Sequence, residues 1–179
     1  MKMNSRLQIR DIPEFCRRYE RAHPGEDDEL TARKARIRKE GRLRLDDLYE
    51  LCRWKSPRAI VQVQRNTDAE VVEVTTLALR TRSERVRIEV LQMLYGVSYP
   101  MASVILHFYH RDRYPILDFR ALWSLRINQP SQYTFEFWWR YVLACRQLRE
   151  QSLRRFPGLS MRQLDRALWQ YSYERQPRG

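Results

Sequence analysis

Helix-start signals recur along this chain too closely for anything but a set of short helices. Thr67 with Glu70, and Ser160 with Gln163, are capping boxes, in which each side chain satisfies a backbone N–H of the other. "DIPE" places Asp11 at an N-cap, Pro13 in the first turn and Glu14 at the box position. Ser56-Pro57 and Ser98-Tyr99-Pro100 repeat the pairing of a capping hydroxyl with a proline that needs no N–H partner. Only five glycines are present, which argues against a β-rich or glycine-loop architecture.

Between these signals the apolar residues keep helical spacing. A helix runs from Asp11 to about His23, where "HPGEDD" breaks it. Residues 26–40 are acidic first and basic last, as the helix dipole favours, and Gly41 ends them. Leu45, Leu48, Leu51 and Cys52 share one face of 44–55. "RAIVQVQ" alternates enough to pass for a strand but is read as a short helix. Further helices are expected from Thr67, over 84–94, from Ser98, over 134–155 and from Ser160. The expectation is a single all-α domain over 1–179, or two small lobes sharing a core, with about eight to ten short helices.

The bulk composition narrows the function classes. Hydrophobic residues make up 43% of the 179, enough for a core and too many for a disordered basic tail. No segment reaches the ~18 apolar residues of a membrane span, and "MKMNSRLQIRDIPEF" carries no apolar leader core. Cys16, Cys52 and Cys145 are odd in number and lack metal-ligand spacing, so they read as reduced thiols of a cytoplasmic protein. The net charge is +12, and of 34 basic residues only Lys2, Lys34, Lys39 and Lys55 are lysine. An arginine-dominated positive field suits phosphate and guanine edges, hence nucleic acid. An arginine-rich genome would inflate the same count without any such partner.

The stretch Leu94 to Leu125, "LYGVSYPMASVILHFYHRDRYPILDFRALWSL", carries the most specific signal. Residues 84–110 read as helix, turn, helix. Gly96 permits a left-handed turn, Ser98 and Pro100 open the second helix, and Ala102 and Ser103 allow close approach. Backbone N–H groups left open at that turn would suit a phosphate. This segment resembles the helix-hairpin-helix DNA glycosylases of base-excision repair, whose hairpin reads L-P-G-V-G-x-x-T-A. In that family an aspartate opening a helix follows about sixteen residues after the alanine. Here Leu94, Gly96, Val97 and Ala102 match, and Asp118 stands at the aspartate's distance from Ala102. The resemblance covers about 30 residues; over the rest of the chain only the helical architecture is shared.

The resemblance implies a helix-hairpin-helix DNA glycosylase-like fold, a duplex DNA partner, a monomer and Asp118 as the catalytic carboxylate. Pro100 occupies the position of the family's lyase lysine, and Ser98 that of its second hairpin glycine. Only Cys145 lies in the C-terminal half, which excludes the four-cysteine iron–sulfur cluster of some members. What remains is a monofunctional glycosylase without cofactor or metal, or a non-catalytic DNA-binding relative. Breaking a glycosidic bond needs a carboxylate to stabilise an oxocarbenium-like state and a pocket for the extruded base. Pocket candidates are Trp54, Trp123 and Tyr114, with Tyr99, Trp138 and Trp139 behind them. DNA-backbone candidates are Gly96, Val97, Ser98, Tyr99, Lys55, Arg58, Arg111 and Arg113. Each has a plainer reading. Asp118 also suits a cap for "FRALWSL" or a partner for Arg120, and tryptophans fill helical cores. The charge run 33–44 reads as a solvated face, and His107 with His110 as solvated or DNA-facing rather than metal-binding. A helical interaction protein that binds no nucleic acid is the third reading.

Overall fold

The computed structural model describes residues 5–111 and 114–177. Among them the chain is all-α. The helices are α1 (Ile12–Ala22), α2 (Asp28–Glu40), α3 (Leu45–Lys55), α4 (Ile60–Val63), α5 (Asp68–Arg80), α6 (Glu84–Leu91), α7 (Tyr99–Tyr109), α8 (Phe119–Ser124), α9 (Phe135–Leu153) and α10 (Met161–Arg175). Single 3-10 turns, Ile9–Asp11 and Pro57–Ala59, lead into α1 and α4. Both capping boxes form, with Thr67 opening α5 and Ser160 opening α10. The ambiguous "RAIVQVQ" is helical. Three local details differ from the sequence reading. The side chains of Asp11, Ser56 and Ser98 make no capping hydrogen bond, and α6 stops at Leu91 rather than 94. No helix among the described residues is long and apolar enough to cross a membrane.

The chain packs as two compact units. One comprises Gly25–Arg113; the other joins Met1–Pro24 to Tyr114–Gly179. The chain therefore leaves the second unit after α1 and returns to it before α8.

In the 25–113 unit, α7 is the central element. Met101 to Leu106, Phe108 and Tyr109 are all buried, as expected of a helix apolar on every side. It packs against α2, α3 and α6. Two buried ionic knots hold the surrounding helices. Asp47 is fully enclosed, caps α3 by accepting from the Arg44 N–H (2.8 Å), and pairs with Arg33 and Arg36 of α2. Arg87 is also buried. It donates to the Ala78 carbonyl, the Thr81 carbonyl and Glu84, and lies 2.7 Å from His110 Nε2. Arg38 donates to the carbonyls of Tyr109 and His110 and so closes the C-terminus of α7. The run 33–44 is therefore not a solvated face throughout: Arg33 and Arg36 reach the buried Asp47, and Arg38, itself exposed, is tied to the end of α7. His110 is likewise buried rather than solvent-facing.

In the other unit, α10 packs against α1 and α8. Trp138 of α9 is fully buried and stacks on Tyr114 at 5.8 Å, and Tyr141 Oη donates to the Ile116 carbonyl at 2.6 Å. The N-terminal residues close α8 from its C-terminal end. The Arg6 N–H and the Ser5 hydroxyl both donate to the Ser124 carbonyl, and Arg6 Nε donates to Trp123. Cys16, Cys52 and Cys145 are free and buried. Burial pushes the Cys16 thiol up to about 12 and raises Cys52 and Cys145 as well.

Candidate functional site

The hairpin turn lies between α6 and α7 in the 25–113 unit. Gly96 has φ +79°, and a Cβ there would meet Val63 Cγ2 at 2.8 Å, the Val63 N at 3.1 Å and the Ala59 carbonyl at 3.2 Å. Glycine is needed twice over, for the left-handed backbone and for the close approach of α4. Asn66, buried just beyond α4, clamps the same turn. Its Oδ1 accepts from the Tyr95 N–H (2.8 Å), and its Nδ2 donates to the carbonyls of Tyr95 (3.0 Å) and Val63 (2.8 Å). Val97 and Tyr99 point inward and are only 6% and 9% exposed. Any DNA contact at these two positions would run through the backbone. Ser98 is exposed and opens α7 with its carbonyl accepting from Ala102.

Cations and apolar side chains surround this turn. Arg58 is exposed in the 3-10 turn that also supplies the Ala59 carbonyl beside Gly96. Arg65 places its guanidinium 4.0 Å from the centre of the Tyr95 ring. Met93 and Tyr95 are exposed within the turn, as is Val61 on α4. Lys55 is half-buried at the end of α3, and Trp54 beside it meets Phe108 edge-on at 5.5 Å. Arg111 is exposed just past α7, at the opposite end of that helix from the turn; Arg113 lies outside the described residues. Arg65 and Asn66 were missed in the sequence because neither belongs to a motif. The only hint was their place immediately before the capping box of α5.

In the other unit, Asp118 is the N-cap of α8. It is half-buried, and its Oδ1 accepts from the Arg120 N–H at 2.9 Å. The aromatic beside it is one the sequence did not single out. Tyr133, half-buried just before α9, has its phenol pushed above the ordinary value by burial and then by the charge of Asp118. Phe137 contacts Tyr133 at 5.6 Å between ring centres. The sequence-chosen aromatics are otherwise engaged. Tyr114 is buried, stacked on Trp138, with the Arg146 guanidinium 4.9 Å from its ring centre. Trp123 lies between Arg6 (4.5 Å) and Tyr171 (6.0 Å). Trp139 is half-exposed where its neighbour Trp138 is buried, as adjacent helical positions require.

Among the described residues no group of three or more His, Cys, Asp or Glu side chains is gathered as a metal would need. No family model, no curated protein and no solved structure matches this chain.

Proposed function

We propose that this chain binds duplex DNA through the 92–98 turn and hydrolyses the N-glycosidic bond of a damaged base with Asp118 as the catalytic carboxylate. The observation that carries the reading is the turn itself. Gly96 and Asn66 lock it into one shape, Val97 and Tyr99 turn inward, and Arg58 and Arg65 are exposed beside it. Such a turn suits a phosphate and reads no sequence. The protein's net charge of +12 favours the same partner.

The chemistry assigned to Asp118 is electrostatic. The Arg120 N–H orients the carboxyl group, and the aromatic rings of Tyr133 and Phe137 lie on its side of the unit. A carboxylate there would stabilise an oxocarbenium-like sugar and hold the attacking water. Pro100 at the lyase position leaves water rather than an amine as nucleophile. A second reading, DNA binding without chemistry, draws on the covered faces of Tyr114 and Trp123 and on the capping bond that by itself accounts for Asp118.

Base release from duplexes carrying uracil, alkylated purines, hypoxanthine or oxidised guanine separates the two. Asp118→Asn is the informative variant, because asparagine caps a helix about as well as aspartate and the fold is kept. Release by the wild type that falls at least about a hundredfold in Asp118→Asn supports catalysis. No release from any duplex, with salt-dependent binding intact in both proteins, leaves the binding module.

A further inference from the structure

A second surface, on the unit that holds Asp118, has the chemistry of a nucleobase platform. Arg120 of α8 sits among three rings, with its guanidinium 5.0 Å from the centre of Phe119, 5.1 Å from Trp169 and 5.2 Å from Tyr173. Its backbone N–H bonds Asp118, but among the described residues its guanidinium has no carboxylate or carbonyl partner. Cation–π contact occupies the guanidinium's flat face and leaves its N–H edge available to an anion. Trp169 and Tyr173, one helical turn apart on α10, stack at 5.1 Å and 12°. Phe119 and Tyr173 nonetheless remain 49% and 47% exposed. They line, with Arg120, Gln176 and Pro177, an open cleft of about 400 Å³. The acid nearest in sequence on α10, Glu174, is tied to Arg18 at 2.8 Å and to Gln170, so its charge is already compensated.

We propose that this α8–α10 face binds unpaired DNA, with a base stacked on Tyr173 and Phe119 and Arg120 donating to a neighbouring phosphate. Large aromatic faces left in water beside an unpaired guanidinium are the pattern by which proteins hold single strands. Every base offers a π-face, and the cation follows the backbone. A duplex hides those faces inside its stack, so the occupant is an unpaired stretch. The charge complementarity is that of the whole chain, +12. The inference rests on the reading that the chain binds DNA, but uses none of the hairpin residues.

The test is anisotropy of the full chain with three fluorescein-labelled probes: a thymidine oligomer of about twelve nucleotides, the same length of abasic backbone, and a duplex. Phe119→Ala/Tyr173→Ala removes the stacking faces, and Arg120→Gln removes the cation. Thermal melting by circular dichroism checks that each variant folds, and Tyr173→Trp keeps a stacking ring. The double variant is expected to weaken the thymidine strand at least about tenfold and to leave the abasic strand and duplex within about twofold. Arg120→Gln weakens both single strands, and Tyr173→Trp restores binding. The proposal is overturned if the wild type holds the thymidine strand no better than the abasic one, or if the folded double variant loses nothing. Duplex binding without single-strand binding sinks this inference and spares the hairpin reading; single-strand binding alone does the reverse. Binding of neither probe removes both.

Discussion

Replacing Gly96 with alanine should destabilise the 25–113 unit by about 1–5 kcal/mol, and the terms are separable. Holding a non-glycine residue at φ +79° costs about 1–2 kcal/mol. The new methyl would lie 2.8 Å from Val63 Cγ2, 3.1 Å from the Val63 N and 3.2 Å from the Ala59 carbonyl. The last two are backbone atoms that no rotamer change can move, so an overpacking cost of ~1–3 kcal/mol applies. Against this, alanine restricts the unfolded chain and recovers about 0.4–1 kcal/mol. Gly158 is the internal control: its φ is +91°, but nothing lies within 4 Å of its would-be Cβ. Gly158→Ala therefore carries the backbone strain alone. Urea melts of both variants, followed by circular dichroism, measure the difference directly. Adding Val63→Ala to Gly96→Ala should relieve only the contact with Cγ2, since the two backbone contacts remain. If Gly96→Ala costs no more than Gly158→Ala, the close approach of α4 carries no energy, and the account of a turn braced from beneath is wrong.

Other expectations follow from the same packing. Asn66→Ala removes three hydrogen bonds at a buried site and should cost about 2–3 kcal/mol, with the loss of duplex affinity tracking the loss of the turn's shape. Asp47→Asn keeps the cap on α3 but takes the buried carboxylate from Arg33 and Arg36, which retain Asp46 (3.0 Å) and Glu40 (3.6 Å) respectively. Both guanidiniums retain some water, so a cost of about 2–4 kcal/mol in a urea melt is expected, below the value for a fully buried pair. The thiols should be silent to a disulfide reagent at mildly alkaline pH in the native protein and all three reactive in guanidinium. Burial raises their folded values, so the folded state keeps protons that the unfolded state releases. Stability should then fall as pH climbs above the unfolded thiol value of 9.0 toward the folded value of about 12 at Cys16. At the acid end, Thr67 holds Glu70 below its ordinary 4.5, first through its backbone N–H and then through its hydroxyl. The box contributes fully above that value and is lost as pH falls through the lowered one, a slope that Glu70→Gln should flatten.

Local chemistry was enough to place the helices. A capping box acts within four residues and an apolar face repeats every turn, so α5 and α10 could be located from Thr67 and Ser160, and α9 from the apolar spacing over 134–155. The hairpin could be placed the same way, and so could the position of Asp118 as the first residue before α8. Long-range contacts lie outside such local signals. Arg33, Arg36, Arg38 and Arg87 look in sequence like their solvated neighbours. Arg33, Arg36 and Arg87 turn inward, and the exposed Arg38 is tied down, because Asp47, His110 and the carbonyl ends of α5 and α7 come to lie within reach once the chain has folded. Tyr133 stands beside Asp118, and Arg120 among three rings, by the same route, while Tyr114 is drawn into the core by Trp138. Helix type and boundary are set by interactions between near neighbours, which a sequence displays. Which charge is buried and which ring is left exposed depends on residues far apart in the chain, and only the tertiary structure decided that.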